Sequence, residues 1–139
     1  MKIPEGQTPF EIASLIKDII QDKVVCDIGC GGGAFMSELS KYAKEVHGIE
    51  EEEEWADFTA SKGFKVMKEN VFSFPLPEAD VYYCWNKNAM GIYLKAKFEK
   101  TKGIFIFGHT VRKCLLDLIN TLNPEVREFL GFKIFITKL

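Results

Sequence analysis

Lys23-Val24-Val25-Cys26-Asp27-Ile28-Gly29-Cys30-Gly31-Gly32-Gly33-Ala34 decides how this chain folds. A short apolar run ending in an acid reads as a buried strand, and the residues from Ala34 onward read as an amphipathic helix. Between them lie four glycines within five positions. A strand that turns sharply into a helix calls for backbone angles that other residues adopt only at a cost. One or two glycines meet that need. The surplus fits a loop whose backbone closely approaches the nucleotide part of a ligand, the context in which such a motif is informative.

On the N-terminal side, residues 8–21 place Ile12, Leu15, Ile16, Ile19 and Ile20 at helical spacing, with Thr8 as cap and Pro9 in the first turn. Strands are expected at 23–27, 45–49, 65–68, 79–85 and 103–108, and helices at 34–43, 50–62 and 110–122. Gly63 stops the second of those helices as a C-terminal cap. Residues 70–77 form a loop fixed by Pro75 and Pro77, and 86–100 form loop and helix. Apolar strands alternating with helices predict a three-layer αβα sandwich with a doubly wound, mostly parallel sheet. After Gly108 one strand stands out, 132–139. Either strand six is missing or 123–131 replaces it, so the C-terminal part of the sheet is expected to be reduced. At 139 residues the chain forms a single domain, 1–139.

Composition narrows the classes of function. No apolar run approaches the roughly 20 residues of a membrane span, and the N-terminus lacks the marks of a signal peptide. Cys26, Cys30, Cys84 and Cys114 contain no CxxC pair and are read as reduced. A cytoplasmic protein without a membrane partner is the expectation. Charge is unevenly spread: residues 1–80 hold 8 Lys/Arg against 16 Asp/Glu, and 81–139 hold 10 against 4. The halves then attract one another within one fold. The sharper reading is a cationic surface centred on Lys95, Lys97, Lys100 and Lys102. Nucleic acid is weakly supported, because no aromatic-interleaved basic motif accompanies those lysines. A homodimer stays open.

Two cofactors fit the loop. Gly29-x-Gly31-x-x-Ala34 satisfies the dinucleotide pattern, with Glu50 placed to hold a ribose. Asp27 argues against a dinucleotide, because its charge would repel pyrophosphate. It suits instead a cofactor with a cationic end, such as the sulfonium and ammonium of S-adenosylmethionine.

VVCDIGCGGGAF resembles motif I of the class I S-adenosylmethionine-dependent methyltransferases, and VHGIE resembles their second motif. ENVFSFPLPEADVYYCW is similar to the block spanning their third and fourth motifs, and KTKGIFIFGHT to their fifth strand. The resemblance covers most of residues 8–110. It implies that Asp27 orients the methionine part, that Gly29, Cys30 and Gly31 offer backbone, and that Glu50 takes the ribose hydroxyls. It further implies Asn70 at the adenine amino group, Val71 or Phe72 beside the ring, and Trp85 facing the reacting methyl group. The short N-terminal helix also resembles compact archaeal-type protein-lysine methyltransferases. That sets a protein lysine as first acceptor, with a small molecule or RNA after it.

Other residues have plainer readings. Glu51–Glu54 form a solvated acidic first turn favoured by the helix dipole. His47 and His109 lack spaced partners, so no metal site is expected, and Cys30 lacks a base that would make it a nucleophile. Cys84-Trp85-Asn86-Lys87 lacks the prolines of the adenine-modifying Asn/Asp-Pro-Pro-aromatic motif. The expectation is therefore a methyltransferase. A nicotinamide-binding module and a non-catalytic cofactor-binding subunit stand as the alternatives.

Overall fold

The computed structural model describes residues 8–85, 88–108 and 113–139; Asn86, Lys87 and His109 lie outside them. In chain order come α1 (Glu11–Leu15), α2 (Lys17–Ile20), β1 (Val24–Ile28), α3 (Ala34–Leu39), β2 (Glu45–Ile49), α4 (Glu53–Ser61) and β3 (Lys65–Met67). The second half adds β4 (Val81–Cys84), α5 (Ala89–Phe98), β5 (Ile104–Gly108), α6 (Lys113–Thr121), β6 (Glu125–Phe129) and β7 (Phe132–Lys138).

The seven strands form one sheet in the order β3-β2-β1-β4-β5-β7-β6. β1 through β5 are mutually parallel, while β7 runs antiparallel to β5 and to β6. The chain winds outward from β1 to β3, then crosses back to lay β4 on the other side of β1. The switch in strand order therefore falls between β1 and β4.

Every central strand is buried on both faces, which explains its uninterrupted apolar run. On one face Ile12, Ile16, Phe35, Met36 and Leu39 pack with Val25, Val81, Tyr83, Ile106 and Ile134. On the other, Ala89, Met90, Ile92, Tyr93 and Ile119 pack with Cys26, Ile28, Tyr82, Phe105 and Phe107. The sandwich has a gap: residues 68–80, between β3 and β4, contain no helix.

Several boundaries differ from expectation. The 8–21 helix breaks at Ile16 (φ −110°) into α1 and α2. Thr8 does not cap it; Thr8 is buried and its Oγ1 accepts a 3.4 Å hydrogen bond from the Tyr83 hydroxyl. α4 begins at Glu53, leaving Glu51 and Glu52 in the preceding loop. Gly63 caps it as expected, with φ 94° and its N–H donating to Ala60.

The main correction is at the C-terminal end. Strand six exists as β6, so that part of the sheet is complete. β6 joins β7 through Leu130 and Gly131, both at positive φ (45° and 84°), the two-residue turn whose twist suits a hairpin. Of the two alternatives the sequence left open, the structure takes the second, a strand within 123–131; its pattern is weak because Glu125-Val126-Arg127-Glu128-Phe129 is an edge strand, largely exposed and charged.

Candidate cofactor site at the strand switch point

The glycine loop leaves the carboxyl end of β1 with Gly29, Gly31 and Gly33 at φ 75°, 54° and 81°. Its N–H groups turn inward. Gly29 and Cys30 both donate to the Ile49 carbonyl (2.8 and 3.1 Å), and Gly33 donates to Cys30 (3.1 Å). Gly31 donates to Glu50 Oε1 at 2.8 Å. Carbonyls are engaged from behind, Thr59 Oγ1 donating to Gly31 and Lys62 Nζ to Gly32. A loop that binds pyrophosphate presents free backbone N–H groups at a helix N-terminus. Here four donors of the loop, from Gly29, Cys30, Gly31 and Gly33, are spent inside the protein.

Glu50 follows β2. Its Oε2 accepts from the Glu52 N–H (3.0 Å), so both carboxylate oxygens are held by backbone donors. Each oxygen retains a second acceptor position. The carboxylate is fixed and can still receive two hydroxyls.

A cleft of about 260 Å³ opens beside these groups. Ile28, Gly29, Ile49, Glu50, Glu51 and Glu52 form one side, and Glu69, Val71, Phe72, Asn88 and Ile92 the other. It lies at the carboxyl ends of β1 and β2, where doubly wound sheets bind ligands. The four glutamates give it a negative lining that repels phosphates and attracts cations.

Of the residues expected from sequence, the structure brings Gly29, Glu50, Val71 and Phe72 together at this cleft. Asn70 is absent from its lining, and its Oδ1 accepts the Phe72 N–H at 2.8 Å, closing a local turn. Cys30 is buried beneath the loop, packed toward Gly48, and burial pushes its thiol pKa up. That environment makes it inert as a nucleophile. Trp85 is a core residue: its ring lies 5.7 Å from that of Phe132 and covers Gly108. It is not among the residues lining the cleft.

Asp27 stands behind the loop, 4% exposed. Burial, and secondarily the Glu50 charge, raise its pKa to about 8. A neighbouring cation would reverse that shift by favouring the ionised form. Sequence reading singled out neither Asn88 nor Ile92, which belong to no motif, nor Glu69, which heads the quoted ENVFSFPLPEADVYYCW block, and it took Glu51 and Glu52, which also line the cleft, for a plain solvated turn. Cys26, Cys30 and Cys84 are free thiols. Among the described residues no cluster of metal-ligating side chains occurs, and no helix is long and apolar enough to cross a membrane.

Sheet order, switch-point cleft and glycine loop describe a Rossmann-like fold, and solved structures of methyltransferases share it. Solved structures with this architecture include an RNA methyltransferase from Salinibacter ruber bound to S-adenosyl-L-homocysteine (TM-score 0.73, 12% identity, covering 95% of this chain and 92% of that one). An S-adenosylmethionine-dependent O-methyltransferase from Thermotoga maritima gives a TM-score of 0.73 at 18% identity, covering 100% and 68%. A ribosomal protein L11 methylase from Lactobacillus delbrueckii subsp. bulgaricus gives 0.69 at 16%, covering 92% and 77%. At these identities the likeness is one of fold. No protein-family model matches the chain, and no curated protein matches it in sequence.

Proposed function

We propose that this protein is a methyltransferase using S-adenosylmethionine. The observation carrying the reading is the loop's inward-turned N–H groups, set beside a buried Asp27 and a carboxylate-lined cleft. That environment opposes pyrophosphate and suits a nucleoside with a cationic tail. The nicotinamide alternative is accordingly disfavoured.

Glu50 receives the ribose hydroxyls on its free acceptor positions. Val71 and Phe72 flank the adenine, and Gly29 offers its carbonyl to the ammonium group, its N–H being spent. Asp27 supplies the charge that balances the cationic end. Asn70 keeps its place by shaping the turn that presents Val71 and Phe72, while Cys30 and Gly31 support the site from within and Trp85 fills the core. The bound cofactor supplies an electrophilic methyl group, which an acceptor nucleophile attacks in line. The protein's contribution is alignment and partial desolvation, so no strong acid–base pair is needed.

A protein lysine is the preferred acceptor, ahead of a small molecule or RNA. The preference rests on the resemblance of the N-terminal helix and on the cleft's acidity, which attracts an amine. Calorimetric titration with S-adenosylmethionine and with NADH tests the cofactor; tight NADH binding alone defeats the proposal. Incubation with labelled cofactor and cell lysate tests transfer. Label in a protein fraction, recovered as methyl-lysine after acid hydrolysis, supports the acceptor. Binding without any transfer indicates the non-catalytic subunit.

A further inference from the structure

A cavity larger than the cofactor cleft lies elsewhere in the molecule. It is a half-open cavity of about 590 Å³ that runs from the amino ends of β1 and β2 along the length of β3. It exists because residues 68–80 cross from β3 to β4 without a helix, leaving one face of β2 and β3 under loop alone. Register fixes which side chains meet it. Cys26, His47 and Lys65 lie in one row across the three strands. His47 shares that face with Ile49, one of the buried residues under α5.

His47 is 9% exposed and lines the cavity, and its Nε2 is buried with no hydrogen-bond partner among the described residues. Burial, reinforced by Lys65 and opposed by Glu45, lowers its pKa, so the ring is neutral at pH 7. A neutral imidazole carries one N–H and one lone pair. A buried polar atom left unpaired calls for a partner. The rest of the wall is largely apolar, from Val66, Met67, Pro77 and Ala79, and the volume is that of a small-molecule site. Glu45, Glu78 and Lys65 supply exposed charged groups to its lining, while Asp80 accepts the Val24 N–H at 2.9 Å.

We propose that this cavity binds a small organic cation, an amine on an apolar body whose far end carries a hydroxyl. The amine sits among the glutamates and the body against Met67 and Pro77. The hydroxyl meets His47, and because a hydroxyl both donates and accepts it serves either ring tautomer. The site shares no lining residue with the cofactor cleft and is independent of the methyltransferase reading.

Three probes separate the contributions: tyramine, phenethylamine and 3-(4-hydroxyphenyl)propionate. The chain has two histidines, so His47→Phe assigns the ring resonances. Tyramine should shift the His47 signals; phenethylamine should bind several-fold more weakly, and the propionate should not compete. Glu45→Gln and Glu78→Gln should each weaken tyramine about two- to fivefold, the scale of an exposed ion pair. S-adenosylmethionine binding should be unchanged in both. No His47 shift with ~10 mM tyramine, a concentration that would half-fill even a very weak site, overturns the proposal. Equal binding of all three probes overturns it as well.

Discussion

Asp27 couples cofactor binding to protons. Its folded carboxyl keeps its proton up to about pH 8, whereas the ordinary value is 3.8. Between those limits the folded state binds more protons than the unfolded one, so stability falls as pH rises through that window. Asp27→Asn should therefore raise the melting temperature more at pH 8 than at pH 5, while abolishing detectable cofactor binding. For the wild-type protein, binding a cationic ligand should expel a proton near neutral pH. Calorimetry in buffers of different ionisation enthalpy measures it, and affinity should increase as pH climbs toward 8. A pH-independent affinity would leave Asp27 without the assigned role. Glu50→Ala removes the acceptor of two backbone N–H groups as well as the ribose partner. It should cost about 1–3 kcal/mol in urea unfolding and at least about tenfold in cofactor affinity. Trp85→Ala should separate the two properties in the opposite sense. A cavity of that kind costs about 3–5 kcal/mol, yet the affinity of the protein that remains folded should be nearly wild type.

At the scale of elements, the β6–β7 hairpin is tied back to the opposite end of the chain. Arg127 donates to the Leu15 carbonyl at 2.8 Å and makes a two-pronged pair with Asp18, joining the edge strand to α1 and α2. Arg127→Ala should cost about 1 kcal/mol, mainly through the carbonyl left unpaired; the half-exposed ion pair adds little. Gly131→Val should cost at least about 1 kcal/mol, because a β-branched residue resists φ 84°. Chemical denaturation checks both. This hairpin was the element least legible in the sequence. The parallel strands announce themselves as continuous apolar runs because both their faces are covered. An edge strand keeps charge on its open side, and its partner choice is decided by sequence-distant packing. The site was partly legible for a similar reason. Gly29, Glu50 and Val71 follow strand ends, whose position the pattern reveals. Asn88 and Ile92 reach the cleft only because α5 and the 68–80 crossing come together across the sheet. Trp85 ends a strand too, but a strand end does not say which face a side chain takes.

For the molecule as a whole, the order β3-β2-β1-β4-β5-β7-β6 places the boundary between the acidic and basic halves of the chain inside the sheet. β1 hydrogen-bonds to β2 from its own half and to β4 from the other. Neither half can close a core alone, since both faces draw strands from each. Thermal unfolding should then be one cooperative transition, coincident by near- and far-ultraviolet circular dichroism. Separately expressed fragments 1–80 and 81–139 should each lack a cooperative transition. A fragment that melts sharply by itself would contradict this interleaving.

The two rims of the sheet have a further consequence. At one end β3 spans only Lys65–Met67 and is followed by Lys68, whose ammonium is paired with Asp57 at 2.9 Å. At the other, β6 carries Glu125, Arg127 and Glu128 on five residues. Short length and charge are the two devices that stop a sheet from recruiting strands of another chain. Each rim of this protein carries one of them. Both rims thus disfavour self-association through continuous sheet extension.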